Sequence, residues 1–220
     1  MPLIVSPAVS FALPSHRMLI CDQPRQWSRY SAPFIREGLR AGERVVCLHG
    51  LYSEDQFDFV LRWGQAGGRS AAERKQLSIW PVESFLLPQG VFEPDAAKAR
   101  LKEVIDQARR EKWTGVRFFL DMNWGSYLSQ GESQLLECER MLHQDFLPRY
   151  PCQVLCHYER VLFAPEVLET LAGWHQAVLG RAEDVHGSAG GGPIGRDHPV
   201  AALGRAIQAA PVARGHGSGR

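Results

Sequence analysis

The sequence predicts a three-layer α/β/α protein in which helices cover both faces of a mainly parallel sheet of five or more strands. Short apolar runs alternate with amphipathic stretches, the pattern in which crossover helices join parallel strands. The run "ERVVCLHG" (residues 43–50) is almost continuously apolar, which is typical of a strand buried on both faces. Five such strand and helix pairs fall between residues 14 and 180, a normal size for one domain.

The strands are predicted from short apolar runs that polar or glycine-rich segments separate. These runs are "RMLIC", "ERVVCLHG", "QLSIWPV", "GVRFFLDM" and "CQVLCHY". The first helix is expected in "SAPFIREGLRAG", with Ser31 as N-cap, Pro33 in the first turn and Gly42 as the stop. "SEDQFDFVLRWGQAGG" is predicted as the second helix because two acids follow its Ser53 and glycines end it.

The clearest helix starts near Pro94, after the predicted loop "ESFLLPQGVFEPD". Its apolar residues recur at helical spacing and predict one buried face: Ala97, Leu101, Val104, Ile105 and Ala108. "GESQLLECERMLHQDFL" is predicted as the fourth helix. "APEVLETLAGWHQAVLG" is predicted as the closing helix, with Pro165 near its first position.

The two ends of the chain are predicted to lie outside this domain. Residues 1–13 are apolar but contain prolines and no basic start, so they resemble neither a signal peptide nor a membrane helix, and we expect a cytosolic protein. Residues 181–220 contain no Phe, Trp or Tyr and nine of the 21 glycines. Such a segment buries too little apolar surface to offset its ordering entropy, so a flexible tail is predicted.

Charge and cysteine content exclude several kinds of partner. With 25 Lys plus Arg against 24 Asp plus Glu, net charge would recruit neither nucleic acid nor an anionic membrane. The five cysteines stand in apolar contexts and are odd in number, which favours buried, reduced thiols over a disulfide framework.

Ligands of open parallel sheets bind outside the carboxyl ends of the strands, so the residues there are the first candidates for a site. No GxxxxGK[ST] phosphate loop follows the first strand, and "GQAGGRSAAERK" fits a surface loop better than a phosphate site. Asp121 could hold Mg²⁺ as a Walker B-type acid, but without a phosphate loop a carboxylate that caps a neighbouring N–H group is favoured. Met122 and Trp124 could line an apolar ligand pocket or pack in the core.

Metal binding and catalysis are not predicted. The thiols and imidazoles of Cys138, His143, Cys152, Cys156 and His157 lack CxxC or HxxxH spacing, and helix and strand geometry keeps them from converging. No nucleophile and base motif appears, and the carboxylates Glu132, Glu137 and Glu139 are expected on a solvated helix face. We therefore predict no catalytic residue, no metal and no cofactor.

Several segments between residues 16 and 179 together resemble one family, the MEDS sensory domain. They are "SHRMLIC", "APFIREGLRAGERVVCLHG", "GVRFFLDMNWGSY", "ESQLLECERML" and "VLCHYERVLFAPEVLETLAGWHQAVL". The resemblance implies a RecA- or KaiC-like fold without a phosphate loop. It also implies a role in sensing small molecules, as in dichloromethane-responsive repression in methylotrophs.

The resemblance also implies particular site residues. His16 matches the histidine that opens the family pattern, Glu139 matches its helix glutamate, and the closing motifs match Cys156, Tyr158 and His175. Asp121 stands where the family usually has Glu, His157 where it has Gln, and Gln176 where it has Pro. Together with the strand-end residues, the predicted ligand-binding set is His16, Asp22, Asp121, Met122, Trp124, Tyr158 and His175.

The leading hypothesis is a non-catalytic cytosolic sensor domain that binds a small ligand and modulates transcription. Many relatives carry a helix-turn-helix or a histidine kinase, and the segment after this domain lacks aromatic residues, so we expect a regulatory protein as the partner. One alternative is an atypical nucleotide-binding protein that uses Asp121 with Mg²⁺. Another is an interaction module that docks through the closing helix, by Val167, Leu168, Leu171, Trp174 and Val178.

Overall fold

Every pair of neighbouring strands in the sheet is parallel. The computed structural model describes residues 15–22, 26–50 and 75–180. In these ranges the strands are β1 (Ser15–Cys21), β2 (Arg44–His49), β3 (Leu77–Pro81), β4 (Val116–Asp121), β5 (Gln153–Glu159) and β6 (Ala177–Leu179). They pair in the order β3-β2-β4-β5-β1-β6. The predicted parallel sheet of five or more strands is confirmed.

Helices cover both faces of the sheet. They are α1 (Trp27–Arg40), α2 (Val82–Leu86), α3 (Pro94–Arg110), α4 (Gly131–Arg140) and α5 (Pro165–Ala172). Helix α1 packs on one face, where Phe34 and Ile35 contact alternate strand residues such as Leu19 and Phe119. Helices α3, α4 and α5 contribute to a larger core on the opposite face. The predicted three-layer architecture is therefore confirmed.

Helix α3 has the predicted start and the predicted buried face. Pro94 occupies its first turn, where a missing N–H group costs no helical hydrogen bond. Its buried residues are Ala97, Leu101, Val104, Ile105 and Ala108. The apolar spacing sufficed here because these five residues form one stripe along the helix, whereas Ala99, which is not on that stripe, is exposed.

Helix α1 begins earlier than predicted. It starts at Trp27, so Ser31 is not its N-cap but an interior residue whose hydroxyl donates to the Trp27 carbonyl at 2.8 Å. Pro33 likewise lies inside the helix instead of in its first turn. The buried Trp27 ring lies 5.9 Å from that of Phe119, and this packing explains the earlier start. Gly42, with φ of +75°, follows the helix end as predicted.

The segment after α5 corrects a second prediction. The closing helix ends at Ala172, and Ala177–Leu179 form β6, which pairs with Arg17–Leu19 of β1. The segment predicted as a loop after β3 contains α2 and a single 3₁₀ turn, Pro88–Gly90. The second predicted helix, the glycine-rich loop, the N-terminal extension and the tail lie outside the described residues.

Candidate functional site

Five polar side chains from distant parts of the chain meet on the α4 face of the sheet. His16 lies in β1, and Cys156 and Tyr158 lie in the neighbouring β5, where alternate residues point to the same face. Glu139 comes from α4, and His175 follows α5. We call these residues the Glu139 cluster: His16, Glu139, Cys156, Tyr158 and His175.

Glu139 is the centre of this cluster. Its side chain is fully buried, and its Oε1 accepts a hydrogen bond from the Tyr158 hydroxyl. Its Oε2 lies 3.0 Å from Nε2 of His16 and 3.5 Å from Nε2 of His175. Sγ of Cys156 lies 3.5 Å from the same Nε2 of His16. Burying a carboxylate costs free energy unless other groups replace its contacts with water. The Tyr158 hydroxyl and the imidazoles supply such contacts to Glu139.

The protonation states follow from burial and from these neighbours. Burial opposes the charge of Glu139, but His175, His16 and the Tyr158 hydroxyl outweigh it and hold the Glu139 pKa below its ordinary value. Burial and the adjacent Glu139 raise the pKa of Tyr158. Its hydroxyl therefore stays protonated and donates a hydrogen bond to Glu139. Burial lowers the pKa of His175 to about 4, so its imidazole is neutral at pH 7.

A cavity of about 260 Å³ lies next to the cluster. It is lined by His16 and His143, with the remaining lining residues Ser15, Leu147, Pro148 and Gln176. Ser15 is the first residue of β1, and Gln176 directly precedes β6, so the cavity is at the amino-end edge of these parallel strands. A ligand in this cavity would contact His16, which belongs to both the cavity wall and the cluster.

The helix that carries Glu139 is irregular beside the cavity. After Arg140 the chain continues as a π-helical segment, Met141–Phe146, and such wide turns are frequent at functional sites. His143 lies in this segment, and its ring stacks on that of His16 with 6.2 Å between centroids. The π-helical segment therefore connects Glu139 and the cavity wall within a few residues.

The carboxyl ends of the strands contain a different set of polar residues. Asp121 is fully buried, and its carboxylate accepts hydrogen bonds from the backbone N–H groups of Gly50 at 3.3 Å and Asn123 at 3.1 Å. Oδ1 of Asn123 in turn accepts from the N–H group of Glu159 at 2.7 Å. Asp121 thus caps neighbouring N–H groups, as the sequence favoured over a Mg²⁺ ligand.

The remaining predicted site residues do not join the cluster. Met122 and Trp124 are fully buried in the core, and Trp124 stacks on Phe92 with 6.2 Å between ring centroids. Asp22 is exposed and pairs with Arg160. Of the five apolar residues considered for docking, Val167, Leu168 and Leu171 are buried in the core, whereas Trp174 and Val178 are partly buried against it.

The predicted set is therefore divided between the two faces of the sheet. Asp121 shares its face with Phe119 in the α1 core, whereas Cys156 and Tyr158 belong to the opposite core. His16, Tyr158 and His175 are brought together, while Asp121 and Asp22 are not part of their cluster. One crevice at the strand ends does not contain all the predicted residues.

Glu139 does not lie on the solvated helix face where the charges of this helix predicted it. Glu132 and Glu137 are exposed as expected, but the side chain of Glu139 is fully buried. The helical spacing indicates that Glu139 is buried. Leu135 precedes it by four residues and Leu142 follows it by three, so all three share the apolar face of the helix. An acid on that face points to a buried partner.

An Asp121→Asn variant separates structural capping from Mg²⁺ binding. We expect it to lower the free energy of unfolding by about 1–3 kcal/mol, because an amide can offer only one acceptor where the carboxylate uses two. Denaturant unfolding measures this loss, with the exposed Asp95→Asn as a control that should leave stability unchanged. Micromolar, Mg²⁺-dependent binding of a fluorescent ATP analogue, weakened by Asp121→Asn, would contradict the capping role.

The fold and the site define a class: a three-layer α/β domain with a parallel sheet, whose sequence has no GxxxxGK[ST] phosphate loop and whose polar cluster is buried under α4. One similar solved structure is a KaiC-like protein of Pyrococcus horikoshii OT3, with a TM-score of 0.54 and 13% identity over 76% of this chain and 71% of that chain. An uncharacterized protein of Pyrococcus horikoshii, solved with an unknown peptide, has the same score and identity over 76% of each chain. At this identity the likeness concerns the fold.

The profile of the methanogen/methylotroph DcmR sensory domain, MEDS, matches residues 15–176. This chain belongs to the MEDS family, and membership indicates a sensory or signalling role. No curated protein matches the chain. Within the described residues, none of the helices combines the length and apolar character needed to cross a membrane.

Proposed function

We propose that this chain is a non-catalytic cytosolic sensor domain that binds a small ligand in the cavity beside His16 and passes the signal to a regulatory protein. The observation that carries the proposal is the position of the cavity against the Glu139 cluster, since His16 belongs to both. Family membership supports the sensory role. The partner we propose is a transcription regulator or a histidine kinase.

The cavity supports a ligand smaller than a drug molecule. Its volume of about 260 Å³ lies below the roughly 300–1,000 Å³ of typical drug-sized pockets. Leu147 and Pro148 offer apolar contact, whereas Ser15, His16 and Gln176 offer polar groups. This combination fits a compact organic molecule with one polar or polarizable group, such as a small metabolite or a halocarbon.

Signal transfer follows from the contacts of His16. A ligand that displaces the His16 ring changes the distance from Nε2 to Oε2 of Glu139, and Glu139 is part of α4. If the ligand binds one arrangement of the cluster more tightly, it shifts the population toward that arrangement. A partner that contacts the outer surface of α4 or the π-helical segment distinguishes the two states.

A ligand screen on the full chain tests this function. We expect at least one small metabolite or halocarbon to raise the melting temperature and to bind by isothermal titration. Leu147→Trp, which fills the cavity, should abolish that binding. Val91→Trp places the same ring at an exposed site and should bind normally.

Two outcomes would overturn the proposal. One is a ligand whose affinity is unchanged by Leu147→Trp but lost in Asp121→Asn, which would move the site to the carboxyl ends of the strands. The other is the combination of no binding compound in the screen and no regulatory protein in a pull-down. Native mass spectrometry of the purified chain adds a direct search for a co-purified ligand.

A further inference from the structure

We propose that the Glu139 cluster is a binding site for a divalent transition-metal ion, Zn²⁺ by its donor set, with ligands from His16, Glu139, Cys156 and His175. The sequence predicted no metal, and among its candidate thiols and imidazoles only Cys156 belongs to this site. The four donors belong to the chain itself, so the metal site can be tested without the organic ligand, and His16 is the residue that the two sites share.

The positions of the donor atoms fit a tetrahedral ion. One atom from each of the four side chains lies within 4.8 Å of all the others. Zn–N bonds of about 2.0–2.1 Å and Zn–S bonds of about 2.3 Å place tetrahedral ligand atoms about 3.3–3.8 Å apart. The distances of 3.0 and 3.5 Å from Oε2 of Glu139 to the two imidazoles, and of 3.5 Å from Sγ to His16, are close to this range.

The hydrogen bond of His175 leaves an electron pair of its ring, not a proton, facing the centre of the cluster. Nδ1 of His175 lies 2.7 Å from the Leu171 carbonyl and donates to it, so the neutral ring directs the lone pair of Nε2 inward. This Nε2 is buried and has no hydrogen-bond partner within the described part of the chain, and Oε2 of Glu139 lies 3.5 Å from it. Two acceptors 3.5 Å apart repel each other unless a cation lies between them.

Charge balance favours the same conclusion. The carboxylate of Glu139 and the thiol of Cys156 are both fully buried and lie against the same imidazole. Binding of Zn²⁺ would displace the proton of the Cys156 thiol to solvent, because a coordinated thiol is deprotonated outright. The ion, one carboxylate and one thiolate then sum to zero charge, which a buried site tolerates best.

The surroundings supply outer contacts for two of the four proposed metal ligands, His175 and Glu139. A ligating histidine usually donates its other N–H group to a carbonyl or carboxylate, and the Leu171 carbonyl serves His175 in this way. The Tyr158 hydroxyl orients Glu139 by donating to Oε1, which leaves Oε2 for the ion. The bound ion would connect β1, β5, α4 and the segment after α5.

Metal analysis of the full chain, without added organic ligand, tests the site. Protein purified without chelators should contain about one Zn²⁺ per chain by elemental mass spectrometry. Metal-free protein titrated with Co²⁺ should give tetrahedral ligand-field bands and a thiolate charge-transfer band. Zn²⁺ should also raise the melting temperature of the metal-free protein.

Two variants and one control locate the ion. Cys156→Ser should remove the charge-transfer band and weaken Zn²⁺ binding at least about 100-fold, since loss of an outer contact alone costs about 10–100-fold. Glu139→Gln should weaken binding while it keeps an acceptor for Tyr158. Cys47→Ser replaces a buried strand cysteine in the opposite core and should bind like the wild type.

Three results would contradict the proposed metal site. Wild-type protein that is folded by circular dichroism but binds neither Zn²⁺ nor Co²⁺ would overturn the proposal. So would a charge-transfer band that persists in Cys156→Ser, or binding that disappears only when His186, His198 and His216 are replaced. If Cys156→Ser does not fold, the Glu139→Gln titration and the wild-type melting temperature decide. A ligand that binds the metal-free protein would leave the sensor proposal intact while the metal site fails.

Discussion

Glu139→Ala is expected to lower the free energy of unfolding by about 3–5 kcal/mol, the usual cost of removing one partner from a buried ionic network. The truncation leaves the Tyr158 hydroxyl without its acceptor and removes the carboxylate that faces both imidazoles. It also opens a space beneath α4, in a core that is otherwise closely packed. Urea unfolding followed by circular dichroism measures the loss.

Glu137→Ala is the matched control for this experiment. It removes the same side chain two residues earlier on the same helix, at an exposed position, and should leave stability unchanged within error. Equal effects of the two substitutions would show that Glu139 contributes only helix propensity. That result would contradict the role of Glu139 as the centre of the cluster.

Trp124→Ala is expected to cost about 3–5 kcal/mol of unfolding free energy, the range for truncation of a large core aromatic residue. The indole is fully buried and stacks on Phe92, so its removal leaves a cavity that the 3₁₀ turn Asn123–Ser126 cannot close. Guanidinium unfolding monitored by circular dichroism measures the loss.

Trp113→Ala is the comparison for Trp124, because that indole is only partly buried and its Nε1 donates to the carboxylate of Glu111. Its loss should be clearly smaller. Trp124→Phe should keep most of the stability and all ligand binding, because another large aromatic ring can fill most of the same space in the core. A stable Trp124→Ala variant that specifically loses the ligand would instead support the pocket-lining role considered from the sequence.

The sheet and its layers could be predicted because local pattern and tertiary burial agree there. In α3, the five apolar side chains that recur at helical spacing are all buried, so sequence and structure give the same face. Strand β2 is nearly all apolar because β3 and β4 pair on its two sides and both its faces are covered. For such elements the hydrophobic period predicts both the type of element and the face that is buried.

The ends of helices and strands were harder to predict, because contacts with residues far away in the sequence determine them. Nothing near Ser31 in the sequence reveals that Trp27 packs on Phe119 and extends α1 toward the amino end. The three residues Ala177–Leu179 form a strand because the edge of β1 is available to pair with them. In the sequence they continue the apolar pattern of α5.

The site was predicted only in part for a related reason. Residues after parallel strands attract attention in an α/β protein, and Asp121 is indeed there, but its carboxylate caps backbone N–H groups. The Glu139 cluster forms through the β1–β5 pairing and the packing of α4, which bring His16 next to Cys156 and Glu139 although each lies more than 100 positions from it in the sequence. Family resemblance named all five cluster residues, whereas spacing alone treated Glu139 as solvated.

A double-mutant cycle between Tyr158→Phe and Glu139→Gln tests most directly whether the cluster acts as one coupled unit. We predict an interaction free energy of about 0.5–3 kcal/mol, because the two side chains share a buried hydrogen bond and act on the same neighbours. The cycle of Tyr158→Phe with Glu137→Gln should show no coupling. Additive effects in the first cycle would contradict a coupled cluster at the centre of this sensor domain.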